Sequence, residues 1–274
     1  MRRKVKAVDV RRELLPNQSP ELLRELHLLT RGGDLNADAL RKLKQVNHLV
    51  SLLQPALEDV WARHASPVVV DAGSGNAYLG FVLYELFLKN SEKGQLLSID
   101  SREELTARAK ERAQRLGFER MAFQTANLTQ ANLPERIHLL VALHACDTAT
   151  DDALSLAVRR NADHVALVPC CQAEVAEQLK RSKGQSASMR ALFEHPWHRR
   201  EFGSHLTNVI RALALESFGY QVTVTELTGW EHSLKNELIL GRRVHRENAS
   251  ARAKLQALLA ETGVSPGLVQ SLSL

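Results

Sequence analysis

The stretch S-P-V-V-V-D-A-G-S-G-N-A, residues 66–77, decides the fold. Its β-branched run Val68–Val70 reads as a strand buried on both faces, as in a parallel sheet. The strand ends on an acid, Asp71, and runs into two glycines, Gly73 and Gly75, which let a backbone turn tightly and approach a ligand closely. Leu79–Leu88 then reads as a helix. A strand, a glycine turn and a helix in that order form a β-loop-α junction. Two features set it apart from a dinucleotide loop. Such a loop aims a helix N-terminus at a pyrophosphate, and Asp71 would repel that anion while suiting a cationic amino group. The third glycine of the dinucleotide fingerprint is also missing, and Tyr78 stands in its place.

Downstream the same unit repeats. Gln95–Asp100 is a second strand, and Asp100 at its end is placed to accept from both hydroxyls of a ribose. Ser101 is expected to cap the following helix, with Glu104 as its capping-box partner and Gly117 closing it. Ala122–Ala126 is a third strand, with Asn127 just beyond it, positioned to meet a base. Ile137–Leu143 is a fourth strand, followed by a helix over 151–160, and His164–Val168 is a fifth. Residues 172–204 are polar and read as an irregular loop. A helix spans Leu206–Phe218, then come strands Tyr220–Leu227 and Glu237–Leu240 with no helix between them. An Ala-rich helix covers 247–261. Five β-then-α units and a closing strand pair specify an α/β, Rossmann-like, seven-stranded and mostly parallel sheet with helices on both faces.

Upstream, residues 1–66 read as helical. Leu43, Val46, Val50, Leu53, Leu57 and Val60 step by three or four along one face, and Pro55 is expected to kink or divide that helix. The expected organisation is a helical cap over 1–66, a main domain over 67–245, and a helix and tail over 246–274. With 274 residues, 44% of them hydrophobic and 24% charged, the chain has the composition of an ordinary globular protein. No apolar run approaches the length of a membrane span, so no membrane partner is expected. The basic N-terminus lacks the apolar run of a signal peptide, and the expected compartment is the cytoplasm. The net charge of +5 is unevenly placed. Residues 1–12 hold six basic side chains against Asp9. Residues 180–205 hold six against Glu194 and Glu201. Two basic segments on a mildly acidic body suit a polyanion.

The runs D-A-G-S-G-N-A-Y-L, I-D-S-R, A-L-H-A-C-D-T-A-T-D-D-A-L and V-A-L-V-P-C-C-Q together resemble the methyltransferase domain 32 family, over about residues 66–245. That family includes relatives of a tRNA 2′-O-methyltransferase. The resemblance implies a class I methyltransferase fold with S-adenosyl-L-methionine as methyl donor. It gives cofactor roles to Asp71, Gly73, Gly75 and Asp100, with Asn76, Ser101 and Asn127 beside them. The Cys/His zinc modules of the tRNA enzyme are not found in this sequence.

Catalytic candidates belong at the carboxyl ends of strands four and five, where open α/β sheets bind ligands. They are His144, a base near neutral pH, and Asp147, with the thiols Cys170 and Cys171 as nucleophiles or as small residues flooring the pocket. Adjacent cysteines rarely share one zinc, so no metal is expected. The segment holding Arg190, His195, Trp197, His198, Arg199, Arg200 and Phe202 interleaves cations with aromatics, which suits phosphate contact and base stacking. Arg199 and Arg200, together with Trp230, Lys235 and Asn236 of the last linker and Lys44 and His48 of the N-terminal helix, are expected to line an acceptor site. RNA is the favoured acceptor. A protein or small-molecule acceptor, or a non-catalytic binding module, is the alternative.

Overall fold

A computed structural model describes residues 13–30, 37–143, 145, 148–169, 172–181, 187–227 and 237–274. Seven strands form one mixed sheet in the order β3-β2-β1-β4-β5-β7-β6. They are β1 (Val68–Ala72), β2 (Gln95–Asp100), β3 (Met121–Thr125), β4 (Leu139–Leu143), β5 (His164–Val168), β6 (Tyr220–Glu226) and β7 (Glu237–Arg243). Pairing is parallel for β1–β2, β2–β3 and β4–β5, and antiparallel for β5–β7 and β6–β7. The first five strands therefore follow Rossmann order and the antiparallel pair closes the sheet, as the missing final helix had implied. β1 and β5 are buried at every position, as expected for apolar strands covered on both faces. No helix among the described residues is long and apolar enough to cross a membrane.

The chain divides into two compact units, Met1–Asn132 with Leu227–Leu234, and Leu133–Glu226 with Lys235–Leu274. In the first, α1 (Pro20–Glu25) and α2 (Ala37–Arg63) precede β1. Pro55 lies inside α2, yet the helix is continuous. The reason is its apolar face: Leu43, Val46, Val50, Leu53, Leu57 and Val60 are all buried. Burying each such side chain is worth ~1.5–3 kcal/mol, enough to outweigh a local proline defect. These helices are fastened to the turns and helices that follow β1. The Trp61 indole donates to Ser91 Oγ at 3.2 Å, and Lys93 Nζ donates to the Trp61 and His64 carbonyls at 2.6 and 2.8 Å. The Ser19 amide donates to Glu85 at 3.0 Å, and Arg115 pairs with Glu25 at 2.9 Å. α3 (Tyr78–Leu83) runs into a π turn at Tyr84–Leu88, and α4 (Glu103–Leu116) ends at Gly117 with φ +68°.

The second unit holds β4–β7 with α5 (Thr148–Arg159), α6 (Glu174–Arg181), α7 (Ala187–Phe193), α8 (Pro196–Ser217), α9 (Ala249–Thr262) and α10 (Gly267–Ser271). The segment 172–204 departs from the irregular loop expected of its polarity. Much of 172–204 is helical, and α8 begins ten residues before Leu206. The apolar residues are sparse, but they are spaced for helices: Val175 and Leu179 of α6 are four apart and buried. Pro196 sits in the first turn of α8, where its missing amide costs nothing. β4 also begins two residues later than its apolar run.

Candidate cofactor site

The site in the first unit is built by the ends of β1, β2 and β3. Past Ala72 the chain takes left-handed conformations at Gly73 (φ +67°), Gly75 (φ +56°) and Ala77 (φ +54°). The first two carry no Cβ penalty, and the turn is pinned by the Ser74 amide on the Ile99 carbonyl at 2.9 Å and by the Ala77 amide on the Ser74 carbonyl at 2.8 Å. These bonds set the loop against the end of β2. Asp100 Oδ2 then accepts from the Gly75 amide at 2.7 Å. The Ala126 amide meets the Asp100 carbonyl at 3.1 Å, bringing the exposed Asn127 to the same edge. Asn76 and Ser101 are exposed there as well.

The structure places Asp71 at the strand end, as read from the sequence, but turns its side chain inward. It is 2% exposed, and Oδ2 has no hydrogen-bond partner. A Cβ on Gly80 would lie 2.9 Å from that oxygen and 3.0 Å from Ser98 Oγ, so helix α3 can lie this close only because residue 80 is glycine. Burial, with a smaller push from the Asp100 charge and against the lowering effect of the Gly80 amide, raises the Asp71 carboxyl to about 7. The carboxylate that faces the cradle is therefore Asp100. Burial would raise its pKa, but bonds from Arg102 and Gly75 outweigh that and hold it below its ordinary value.

Ser101 does not cap α4. The cap residue is Arg102. Asp100 Oδ1 takes the Arg102 amide at 3.0 Å, a local side-chain-to-backbone bond that displaces the helix start by one residue. Gly80 and Arg102 are thus two site residues the motif reading missed. A glycine within the helical run Y-L-G-F-V-L was the available signal for the first. Arg102, next to an expected cap, gave none.

His144, Asp147, Cys170 and Cys171 of the second unit, and Trp230, Lys235 and Asn236 of the linker between β6 and β7, lie outside the described residues. Their neighbours are tied together by a buried polar chain. Thr150 Oγ1 donates to the Ala145 carbonyl at 2.5 Å, and Arg211 Nε, on a wholly buried side chain, meets Asp151 Oδ1 at 2.7 Å. Arg211 and Gln172 both donate to Asn208 Oδ1, at 3.1 and 3.3 Å, and Asn208 Nδ2 donates to Glu237 at 2.8 Å. Ser204 Oγ closes on Gln172 at 2.7 Å. The segments following β4 and β5 and the start of β7 are held by this network. A cleft of about 760 Å³ in the same unit, lined partly by Arg136, Asp163 and Arg243, lies at the amino ends of β4 and β5 and so away from that edge.

Of the residues expected to meet an acceptor, Lys44 and His48 are exposed one turn apart on α2, and Lys44 pairs with Glu13 at 3.2 Å. At the start of α8, Trp197 is 63% exposed with the Arg200 guanidinium 4.3 Å from its ring centre. His195 and His198 meet edge to face at 5.5 Å, and Arg199 reaches the Phe193 carbonyl at 3.3 Å.

A sequence-family profile described as a methyltransferase domain matches residues 41–178, just over half of the chain. Curated relatives named glutathione S-transferase C-terminal domain-containing protein match at 29% identity over 232 residues in Homo sapiens and 28% over 223 residues in Xenopus laevis. These cover 76% and 74% of this chain, which spans about a third (34%) of either relative. Among solved structures, an rRNA methylase from Streptococcus thermophilus overlays with a TM-score of 0.46 at 13% identity, over 72% of this chain and 96% of that one. Magnesium protoporphyrin IX methyltransferase from Synechocystis PCC 6803, with bound S-adenosylhomocysteine, gives the same TM-score at 13% identity, over 86% and 93%.

Proposed function

We propose, from the premise that this chain belongs to the methyltransferase domain 32 family, that it transfers a methyl group from S-adenosyl-L-methionine to RNA. The observation that carries the cofactor half is the Asp100 carboxylate bonded across the glycine turn at the end of β2. The residues fit the donor. Glycines at positive φ leave the turn open to a ligand, Asp100 is an ionised acceptor for a ribose, and Asn127 stands at the neighbouring strand end for the base. Bound S-adenosylmethionine supplies an electrophilic methyl carbon on a sulfonium, with a neutral thioether as leaving group.

What this chain supplies is position and proton transfer. Asp100 and the Gly73–Gly75 turn hold the nucleoside. His144, Asp147, Cys170 and Cys171 follow β4 and β5 in sequence, and the Arg211–Asn208–Gln172 network holds the segments around them. His144 takes the acceptor's proton, and Asp147 orients the acceptor. Within the first unit the α1–α2 region is fastened by Ser19, Trp61 and Lys93, and the exposed Lys44 and His48 of α2 are its candidates for contact with the acceptor. Trp230, Lys235 and Asn236, in the linker between β6 and β7, are the remaining candidates for contact with the acceptor.

RNA is favoured by the cation–aromatic face of α8. An exposed Trp197 beside Arg199, Arg200 and two histidines offers a stacking platform with phosphate partners. The test incubates the protein with radiolabelled methyl donor and separate RNA and protein fractions. Label enters RNA, and the double variant W197A/R200A binds that RNA about tenfold more weakly, with a shallower salt dependence. Label in the protein fraction alone, or in neither, rejects RNA as acceptor.

A further inference from the structure

Any nucleoside held at the end of β2 must reach Asp100, and here the chain itself fills that carboxylate. An ionised carboxylate offers about four acceptor positions. Four N–H groups occupy them: the Gly75 amide at 2.7 Å, the Arg102 amide at 3.0 Å, Arg102 Nε at 2.8 Å and Arg102 Nη2 at 3.0 Å. The two amides belong to the loop and stay in place. The other two come from one guanidinium, whose fork matches a carboxylate two for two. A vicinal diol also brings two donors. The partners differ in freedom: the Arg102 side chain is 57% exposed and that of Asp100 only 4%, so the arginine can swing into water while the carboxylate stays. Arg102 Nη2 also lies 3.4 Å from where a Cβ on Gly75 would stand, so the guanidinium lies against the glycine turn that a ligand must approach.

We propose that Arg102 occupies the ribose position and exchanges with the 2′,3′-diol of the nucleoside on Asp100, so that Arg102 sets the affinity of the site. This rests on the cofactor reading above. The exchange is one for one: two guanidinium N–H bonds to Asp100 break, two hydroxyl bonds form, and no proton changes hands. The freed guanidinium regains water, so the cost is modest, as for other half-exposed ion pairs.

The experiment titrates S-adenosylhomocysteine and its 2′,3′-dideoxy analogue into the wild-type protein, Arg102→Ala and Arg102→Lys, with thermal unfolding to verify folding. The expected result is that Arg102→Ala binds S-adenosylhomocysteine about three- to tenfold more tightly. Arg102→Lys falls between, because an ammonium is a point donor rather than a fork. The dideoxy analogue, with nothing to donate to Asp100, binds wild type and Arg102→Ala alike. Weaker binding by Arg102→Ala, or an equal gain for both ligands, overturns the exchange while leaving the cofactor reading intact. No binding to any of the three proteins removes the cofactor reading and this proposal with it.

Discussion

Asp151→Ala lowers the stability of this protein by about 3–5 kcal/mol, because it removes the carboxylate from beside a fully buried guanidinium. Arg211 has no exposed surface, and its Nε lies 2.7 Å from Asp151 Oδ1. A guanidinium keeps its charge inside a protein, so the variant leaves a buried cation without this carboxylate, with the Asn208 amide oxygen among its remaining acceptors. In a chain of this size the loss lowers the melting temperature by on the order of 10 °C. The double variant Asp151→Leu/Arg211→Met, which removes both charges and keeps volume, recovers most of the loss. Denaturant unfolding measures both. A single-variant loss under about 1 kcal/mol, or a double variant no better than the single, contradicts this picture. The substitution acts on function through position: α5 begins just past Asp147, and Asn208 links Arg211 to Gln172, next to Cys171.

Asp71→Asn stabilises the protein at pH 8 by roughly 2–4 kcal/mol and has almost no effect at pH 4. Its carboxyl has an ordinary value of 3.8 and a folded value of about 7, raised chiefly by burial. Between those values the folded chain keeps a proton that the unfolded chain has released. Stability contributed by this group therefore falls as pH rises from about 4 to about 7, then levels off. Asp100 works in the opposite sense, since its folded pKa is depressed. The asparagine is neutral throughout, so the difference between variant and wild type opens across that window. Unfolding free energies at pH 4, 6 and 8 give the answer. Parallel curves mean that the Asp71 charge is solvated or paired in a way this structure lacks.

Much of the fold was legible in the chain. β2 and β5 were bounded to the residue, because apolar runs flanked by turn residues mark a buried strand at both ends. The closing strand pair was legible for the same reason. The helices α6 and α7 were not, since a polar segment with two or three apolar residues shows the helical period too thinly. The continuity of α2 through Pro55 is not legible from the proline's own propensity, because it depends on the packing of the six apolar residues on the same helix. The placement of Gly73 and Gly75 in a tight turn and of Asp100 at a strand end was readable, because it depends on strand ends and turn chemistry. Arg102 was hidden by a local competition: Ser101 is the better cap by type, but Asp100 captured the Arg102 amide first. The Asp151–Arg211 pair spans 60 residues, and no local pattern announces a contact that distant. The inward turn of Asp71 was equally invisible, since it depends on how closely Gly80 approaches.

Calorimetric titration of S-adenosylhomocysteine and of NADH into the wild-type protein and Asp100→Ala asks whether the β1–β2 edge holds an adenosyl nucleoside through Asp100. Wild type is expected to bind S-adenosylhomocysteine and not NADH, and Asp100→Ala to bind it at least tenfold more weakly while remaining folded. Equal affinity in the two proteins, or binding of NADH alone, contradicts it.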